Sequence, residues 1–334
     1  MRDKPAGVSE TSIIEALAAA WGIEARTLEY VPIGAGSYHW RAREGTGQAW
    51  WVTADDLSWS GVSTRTDPDG IFGDLRAGFT AARQLRDDGL GFVLAPVPGK
   101  DGGVVHRVVT SWALSVCPYV EAENAGAYGQ WRSPALRLEA ARLVAELHRA
   151  RPPAAIRRWA AEIPCRYALE TALSALDVRW RGGPYGEPVR DLLSGCAMNI
   201  QEMLRAYDRL AGEVMRSPEP WVVTHGEPHS ANFLEVRDGH SSRLQLIDWD
   251  TVRLAPRERD LAVLASDGEE ALHAYREVAG DIVPRAEALR LFGLRWTLTD
   301  VATWIRRLRS PHEGSEDDKR AWEGLTQSLS RATV

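Results

Sequence analysis

The chain has 334 residues, of which 44% are hydrophobic and 26% charged, and its formal net charge at pH 7 is −6. This length and composition are typical of a soluble globular protein with one large domain or two lobes. The mild negative charge argues against a nucleic-acid partner and suits a cationic small-molecule partner.

The three cysteines, Cys117, Cys165 and Cys196, are odd in number and widely spaced. They match neither a disulfide framework nor a zinc-binding pattern, so reduced thiols in a cytoplasmic protein are expected. The sequence contains no apolar run of membrane-spanning length and no signal-peptide pattern near its start, which predicts no membrane partner. Both a monomer and a homodimer remain open.

The first third predicts a small lobe built on a sheet. A helix over Ser9–Trp21, capped by Ser9 or Thr11, precedes a glycine-rich hairpin, and a second helix separates three strands from the later ones. The predicted strands are Leu28–Ile33, Tyr38–Arg43, Ala49–Thr53, Gly91–Pro96, Val104–Thr110 and Ala113–Cys117, with the second helix over Ile71–Asp88.

Residues near 117–121 predict a connector, with a nucleotide-binding lobe over 1–117 and a catalytic, substrate-binding lobe over 118–334. The second lobe is predicted to be mainly helical, with two short strands around a polar segment. The predicted helices are Leu136–Arg149, Ile156–Leu176, Val189–Met215, Ala286–Arg309 and Asp317–Ser330, and the strands are Trp221–Val223 and Leu244–Ile247.

The most informative stretch runs from Thr224 to Asn232 and is followed by Leu246–Asp250. Glu227 precedes Asn232 by five residues, and Asp248 follows at the end of an apolar run. Phosphoryl transfer needs a carboxylate that faces the acceptor hydroxyl and oxygen ligands that hold Mg²⁺ against the phosphates. A lone Asp or Asn would indicate only a turn or a cap, but the joint spacing favours chemistry.

Other motifs can be weighed against this reading. His225 and His229 flank Glu227 in the wrong order for a zinc protease, and Pro228 would break the helix which that motif requires. Gly34 and Gly36 lack the third glycine and the helix of a dinucleotide site, and no P-loop motif is present.

The segments His225–Asn232 and Ile247–Asp250 resemble the aminoglycoside phosphotransferase family, which carries His-Gly-Asp-x-x-x-x-Asn and then Ile-Asp-x-(Asp/Glu). Pro256–Ala262 extends the resemblance. It implies an α+β protein-kinase-like fold with a β-rich small lobe and a mainly helical large lobe. It also implies ATP and Mg²⁺, with Glu227 and His225 in the catalytic loop and Asn232 and Asp248 as metal ligands.

The sequence departs from the family pattern at two places. The catalytic Asp of the family is Glu227, which is one methylene longer, and a misplacement of roughly 1 Å can cost about 100-fold in rate. The place of the phosphate-binding lysine is taken by Thr53, because the chain has only Lys4, Lys100 and Lys319. We expect an arginine such as Arg41, Arg43 or Arg83 to neutralise the phosphates.

The nucleotide is expected to contact the glycine loop and the connector. Glycine lets the backbone approach phosphates closely, which indicates Gly34, Gly36 and Ser37. Thr53 would lie beside them. At the connector, adenine would accept from the Tyr119 N–H and donate to the Cys117 carbonyl, since Pro118 has no N–H.

An aromatic and acidic face on a late helix predicts the acceptor site. Trp296, Asp300 and Trp304 are spaced by four residues and could hold a cationic sugar, although packing is the commoner role of such a stripe. With Trp51–Leu57 and His225–His229, these helices look most similar to spectinomycin phosphotransferases. The implied function is inactivation of an antibiotic. The alternatives are a kinase for another hydroxylated small molecule and a nucleotide-binding pseudokinase.

Overall fold

The computed structural model describes residues 1–61, 63–238, 241–265 and 268–332. The small lobe is a five-stranded antiparallel sheet in the order β1-β2-β3-β5-β4. Its strands are β1 Ala25–Val31, β2 Tyr38–Glu44, β3 Ala49–Asp56, β4 Val105–Val108 and β5 Trp112–Pro118. The predicted order of three strands, a helix and further strands is observed, with two strands after the helix where three were predicted.

One face of this sheet packs on the first helix. Helix α1 (Glu10–Ala16) continues as a π-helical segment over Leu17–Trp21, and Ser9 caps it by accepting from the Ser12 N–H at 3.0 Å. Val52 and Ala54 of β3 are fully buried against this helix. Because side chains alternate along a strand, Thr53 and Asp55 lie on the opposite face, toward the large lobe.

Helix α2 (Pro68–Asp87) joins the two lobes. It begins after Asp67, whose side chain accepts from the Gly70 N–H. Its buried residues, including Phe79, share one core with α3 and with Leu246 and Trp249 of the large lobe. Helix α2 is therefore packed directly on the segment that carries Ile247 and Asp248.

The large lobe is mainly helical. Its helices are α3 Pro134–Arg149, α4 Arg166–Leu173, α5 Gly186–Met215, α6 Glu258–Ala265, α7 Glu269–Ala279, α8 Ala286–Arg309 and α9 Glu316–Ala332. A second core joins α5, α8 and α9. Short strands frame the polar segments: β6 Ala122–Asn124, β7 Gly126–Ala127, β8 Gln130–Trp131, β9 Val222–Thr224, β10 Phe233–Asp238, β11 Ser241–Leu246 and β12 Arg253–Ala255.

Two predicted elements are wrong. Gly91–Pro96 is not a strand of the small sheet, because its backbone pairs with Leu246 of the large lobe through Phe92 and Leu94. The helix predicted over Ile156–Leu176 is confined to α4, because residues 157–159 are extended and exchange hydrogen bonds with Leu254 of β12. Helix α7 and strands β6–β8, β10 and β12 were not predicted.

The α+β, two-lobed fold class predicted from the sequence is confirmed. Among the described helices, none is both long enough and apolar enough to cross a membrane.

Candidate functional site

The predicted catalytic loop follows β9, and the predicted metal loop follows β11. Backbone hydrogen bonds join them, since the Ile247 N–H donates to the Asn232 carbonyl at 3.0 Å. The Asn232 side-chain amide donates to the Glu227 carbonyl at 2.9 Å, which leaves its oxygen for another partner. Asp248, sixteen residues beyond Asn232 in the sequence, is therefore brought to the loop that carries Glu227 and Asn232.

His225 orients this loop. The Glu227 N–H donates to Nδ1 of His225 at 3.2 Å, so Nδ1 carries no proton, and Nε2 donates to the Ile247 carbonyl at 2.9 Å. His225 is fully buried, and burial lowers its pKa to about 4. A neutral imidazole with both nitrogens engaged positions the loop and has no capacity for proton transfer.

Asp260, at the start of α6, anchors the backbone beneath Glu227. Its carboxylate accepts from the N–H groups of His225 (2.8 Å) and Gly226 (2.6 Å), and from Nε2 of His148 (3.1 Å). Burial opposes ionisation, but the hydrogen bond from His148 and the nearby charge of Arg259 together outweigh it and hold the pKa of Asp260 below its ordinary value. Asp260 therefore braces the backbone of the predicted catalytic loop.

Gly226 is required by both conformation and space. Its φ is +102°, a region that favours glycine. A Cβ at this position would lie 2.1 Å from Nη2 of Arg259. Arg259 is buried and donates to Thr224 Oγ1 at 2.9 Å and to the Thr251 carbonyl at 2.8 Å. The Arg259 guanidinium thus supports the loop from below, a role that the sequence did not reveal.

Asp248 lies in a left-handed conformation, with φ +69° and ψ +62°, which is uncommon for a residue with a side chain. It follows buried β11 directly and is exposed to the cleft. Helix α2 fixes the next residues, because a Cβ on Gly78 would lie 2.9 Å from the Trp249 carbonyl oxygen. Local strain of this kind often accompanies functional positions.

Four carboxylates face one another across the cleft. Burial, with the nearby charge of Asp248, raises the pKa of Glu227 to about 7. Burial and the same charge raise the pKa of Asp55 to about 6, although a hydrogen bond from Ser37 opposes this. Burial and the charges of Asp248, Glu227 and Asp55 also raise the pKa of Asp250. Such mutual repulsion favours a bound cation.

The residues present fit a magnesium ion. Asp248 offers an exposed carboxylate and Asn232 an amide oxygen, and Mg²⁺ usually takes one or two protein ligands with phosphates and waters. Among the described residues, no group of three or more His, Cys, Asp or Glu side chains is arranged to hold a metal ion unaided. A site completed by nucleotide phosphates is compatible with both facts.

The predicted phosphate-binding residues gather at one end of the small sheet. Gly34 and Gly36 have φ of +75° and +100°, and Ser37 donates from Oγ to Asp55 at 2.6 Å. Thr53 Oγ1 lies 3.1 Å from Nδ1 of His39, its cross-strand partner.

The cation expected near the phosphates is not supplied as predicted. Arg41 pairs with Glu29 on β1, and Arg83 forms an ion pair with Asp87 along α2. Both guanidinium groups are thus already engaged by carboxylates. Arg43 pairs with Ala49 at the hairpin end of the sheet, remote from the glycine loop.

The connector also differs from the prediction. The Tyr119 N–H, expected to face adenine, donates to the Ala49 carbonyl at 3.2 Å, because β5 continues to pair with β3 through Pro118. Cys117 is paired with Trp51 in the same ladder. The adenine contacts expected of Cys117 and Tyr119 are therefore occupied by sheet pairing in this conformation.

The predicted acceptor face on α8 is divided between two environments. Trp296 lines a cavity of about 290 Å³ beside the catalytic loop, together with Tyr128 and His229, whose rings lie 4.8 Å apart. Asp300 accepts from Ser328 of α9 at 3.4 Å. Trp304 packs on Gly324 of α9 and so belongs to the interface between the two helices. Its predicted place in the acceptor site is therefore wrong.

A larger cavity of about 430 Å³ lies elsewhere, between residues 158–159 and 215–221. The Arg158 guanidinium stacks 4.1 Å from the Trp221 ring at its wall. This larger cavity contains none of the residues predicted to be catalytic or to bind metal, nucleotide or acceptor. The smaller cavity is therefore the candidate acceptor site.

Comparison with known proteins agrees with this geometry. Residues 41–292 match the family described as "Phosphotransferase enzyme family". Protein StrN of Streptomyces griseus is 31% identical over 315 residues, which cover 90% of this chain and 86% of StrN.

Solved structures share the fold over nearly the whole chain. Spectinomycin phosphotransferase APH(9)-Ia in complex with ADP and spectinomycin has a TM-score of 0.74 at 15% identity, covering 98% of both chains. The microcompartment-associated aminopropanol kinase has a TM-score of 0.61 at 15% identity, covering 97% of both. These likenesses establish the kinase-like fold.

Proposed function

The chain belongs to the phosphotransferase enzyme family, and we propose that it transfers the γ-phosphate of ATP to a hydroxyl of an aminocyclitol or aminoglycoside antibiotic. Spectinomycin is the first acceptor to test, since APH(9)-Ia, whose structure contains bound spectinomycin, shares the fold of this chain. The result would be inactivation of the drug.

One observation carries the proposal: Glu227 lies on a loop whose backbone is held by Asp260, His225 and Asn232, and a hydrogen bond from the Ile247 N–H to the Asn232 carbonyl joins this loop to the segment of Asp248. In the proposed mechanism Glu227 accepts a hydrogen bond from the acceptor hydroxyl, orients it in line with the γ-phosphorus, and takes its proton. A carboxylate whose pKa is raised toward 7 suits a general base near neutral pH.

Asn232 and Asp248 are the proposed ligands of Mg²⁺. When bound, the ion offsets negative charge that develops on the transferring phosphoryl group. The glycine loop, with Gly34, Gly36 and Ser37, would cover the phosphates from the small lobe. We place the division of the lobes at the connector 117–121, where β5 ends.

The acceptor is proposed to bind in the cavity lined by Tyr128, His229 and Trp296. The aromatic rings offer faces to a sugar-like ring and its ammonium groups. The charge of Asp300 contributes to the raised pKa of Glu227, so Asp300 adds negative potential near the catalytic carboxylate. Because the Arg259 guanidinium also lines this cavity, the aromatic rings carry the proposal of a sugar-like acceptor, and the net charge of the wall does not.

The proposal is tested by ADP release from Mg²⁺·ATP with a panel of acceptors: spectinomycin, aminoglycosides, amino alcohols and simple sugars. Glu227→Ala should lower kcat by about a hundredfold to ten-thousandfold. Glu202→Ala, the same change at an exposed position of α5, serves as the matched control and should leave kcat unchanged.

The small-lobe strands contain no lysine, which favours a second candidate function, that of a nucleotide-binding pseudokinase. In that case nucleotide would bind while no acceptor in the panel stimulated ADP release. Turnover only with amino alcohols or sugars would instead identify a metabolite kinase.

A further inference from the structure

Strand β3 of the small lobe carries a buried carboxylate, that of Asp55. It lies two residues after Thr53, which takes the place of the phosphate-binding lysine of the family. Asp55 of β3 is 8% exposed and lies on the cleft-facing side of the sheet with Thr53. Ser37 of the glycine loop donates to its Oδ1 at 2.6 Å. The glycine loop is thereby joined to β3 through an acid.

The second oxygen of this carboxylate is unsatisfied. Among the described residues, Asp55 Oδ2 is buried and has no hydrogen-bond partner. Leaving a buried carboxylate oxygen unpaired is unfavourable by roughly 1–3 kcal/mol or more. The negative charge of Asp248 on the large lobe adds to this penalty.

Two of the arginines expected near the phosphates, and the histidine beside Thr53, do not compensate the charge of Asp55. Arg41 is paired with Glu29, and Arg83 with Asp87. His39 lies beside Thr53, but burial lowers its pKa to about 3, so it is uncharged at neutral pH. Nucleotide phosphates entering this region would add more negative charge, which a bound divalent cation would offset.

We propose that Asp55 supplies a carboxylate oxygen from the small lobe to the divalent cation that Asp248 holds on the large lobe. The cation thus bridges the two lobes and takes over the neutralising role of the absent lysine. Two carboxylates with phosphates and waters form a usual coordination set for such an ion. The inference deepens the proposed function and depends on it.

Metal binding tests this assignment without turnover. Mn²⁺ is titrated into protein with the non-hydrolysable nucleotide AMP-PNP, and free Mn²⁺ is followed by electron paramagnetic resonance. Asp55→Asn should weaken Mn²⁺ binding by about tenfold or more. Asp56→Asn is the matched control: Asp56 is the next residue of β3, and its carboxylate accepts from Ser58. It should leave Mn²⁺ affinity unchanged.

Folding is checked separately. Asn at position 55 keeps an acceptor for Ser37 and removes an unpaired buried charge, so Asp55→Asn without metal should melt at or above the wild-type temperature. Should this variant fail to fold, Asp55→Ser, which is smaller and uncharged, should show the same loss of Mn²⁺ affinity.

The outcomes separate the two proposals. Failure of the wild-type protein to bind Mn²⁺·AMP-PNP would contradict the proposed function itself. Wild-type binding with equal Mn²⁺ affinity in Asp55→Asn would overturn the role of Asp55 alone. A variant with unchanged Mn²⁺ affinity but a raised KM for the acceptor would also overturn it, and would assign Asp55 to an ammonium group of the acceptor.

Discussion

Replacing Glu227 with Gln is expected to raise stability and abolish activity. The substitution keeps the size of the side chain and removes its charge. In the folded protein without ligands the pKa of Glu227 is raised from 4.5 to about 7, chiefly by burial. The folded state therefore holds the proton more tightly than the unfolded state, and ionisation of Glu227 costs stability.

The size of the effect follows from this pKa difference. The change from 4.5 to about 7 corresponds to an upper bound of roughly 3 kcal/mol, because the carboxylate is only partly buried and solvent screens part of the penalty. The wild-type protein loses this stability as the pH rises from about 4.5 to about 7. Glu227→Gln should thus match the wild type near pH 4 and exceed it above pH 7.

Urea unfolding followed by circular dichroism at several pH values measures the stability, and ADP release measures the activity. We expect a gain in unfolding free energy above pH 7 together with a loss of kcat of at least about a hundredfold. If the role of Glu227 were purely structural, the substitution would lower stability and kcat together. If Glu227→Gln were less stable than the wild type at pH 8, Arg259 and Arg295 would be stabilising the charge, and the reasoning would be refuted.

Three further predictions concern the same site. Gly226→Ala should destabilise the protein by roughly 2 kcal/mol or more in urea unfolding, because its Cβ would overlap Arg259 at a positive φ; a neutral result would contradict the packing. Trp296→Ala should raise the acceptor KM with little loss of stability, whereas Trp304→Ala should lower the melting temperature and leave KM unchanged. Reversed effects would place the acceptor at the interface of α8 and α9. The kcat/KM should rise about tenfold per pH unit up to about pH 7, since Glu227 must be ionised, and a flat profile would exclude it as the base.

Much of the fold could be predicted because local signals agreed with the final packing. The glycine-rich hairpin and the apolar stripe of α8 each depend on neighbouring residues, and α8 begins and ends where predicted. Gly91–Pro96 was misassigned because its apolar side chains would suit a strand, whereas its partner, Leu246, is far away in the chain. Periodicity records which side chains are buried and contains no information on which segment covers them.

The same limit applies to the candidate site. The spacing of Glu227, Asn232 and Asp248 identified residues that the structure places together, because each adjoins a short strand. The support from Asp260, His148 and Arg259 depends on tertiary contacts between α3, α6 and the loop. The buried, unpaired carboxylate of Asp55 likewise could not be inferred from the sequence of β3.

Mass spectrometry of spectinomycin after incubation with the protein and Mg²⁺·ATP tests the central claim most directly. The account predicts that the drug gains one phosphate group with the wild-type protein and remains unmodified with Glu227→Gln. Unmodified spectinomycin and unmodified aminoglycosides in every reaction, from wild-type protein that binds nucleotide, would contradict the assignment of an antibiotic phosphotransferase.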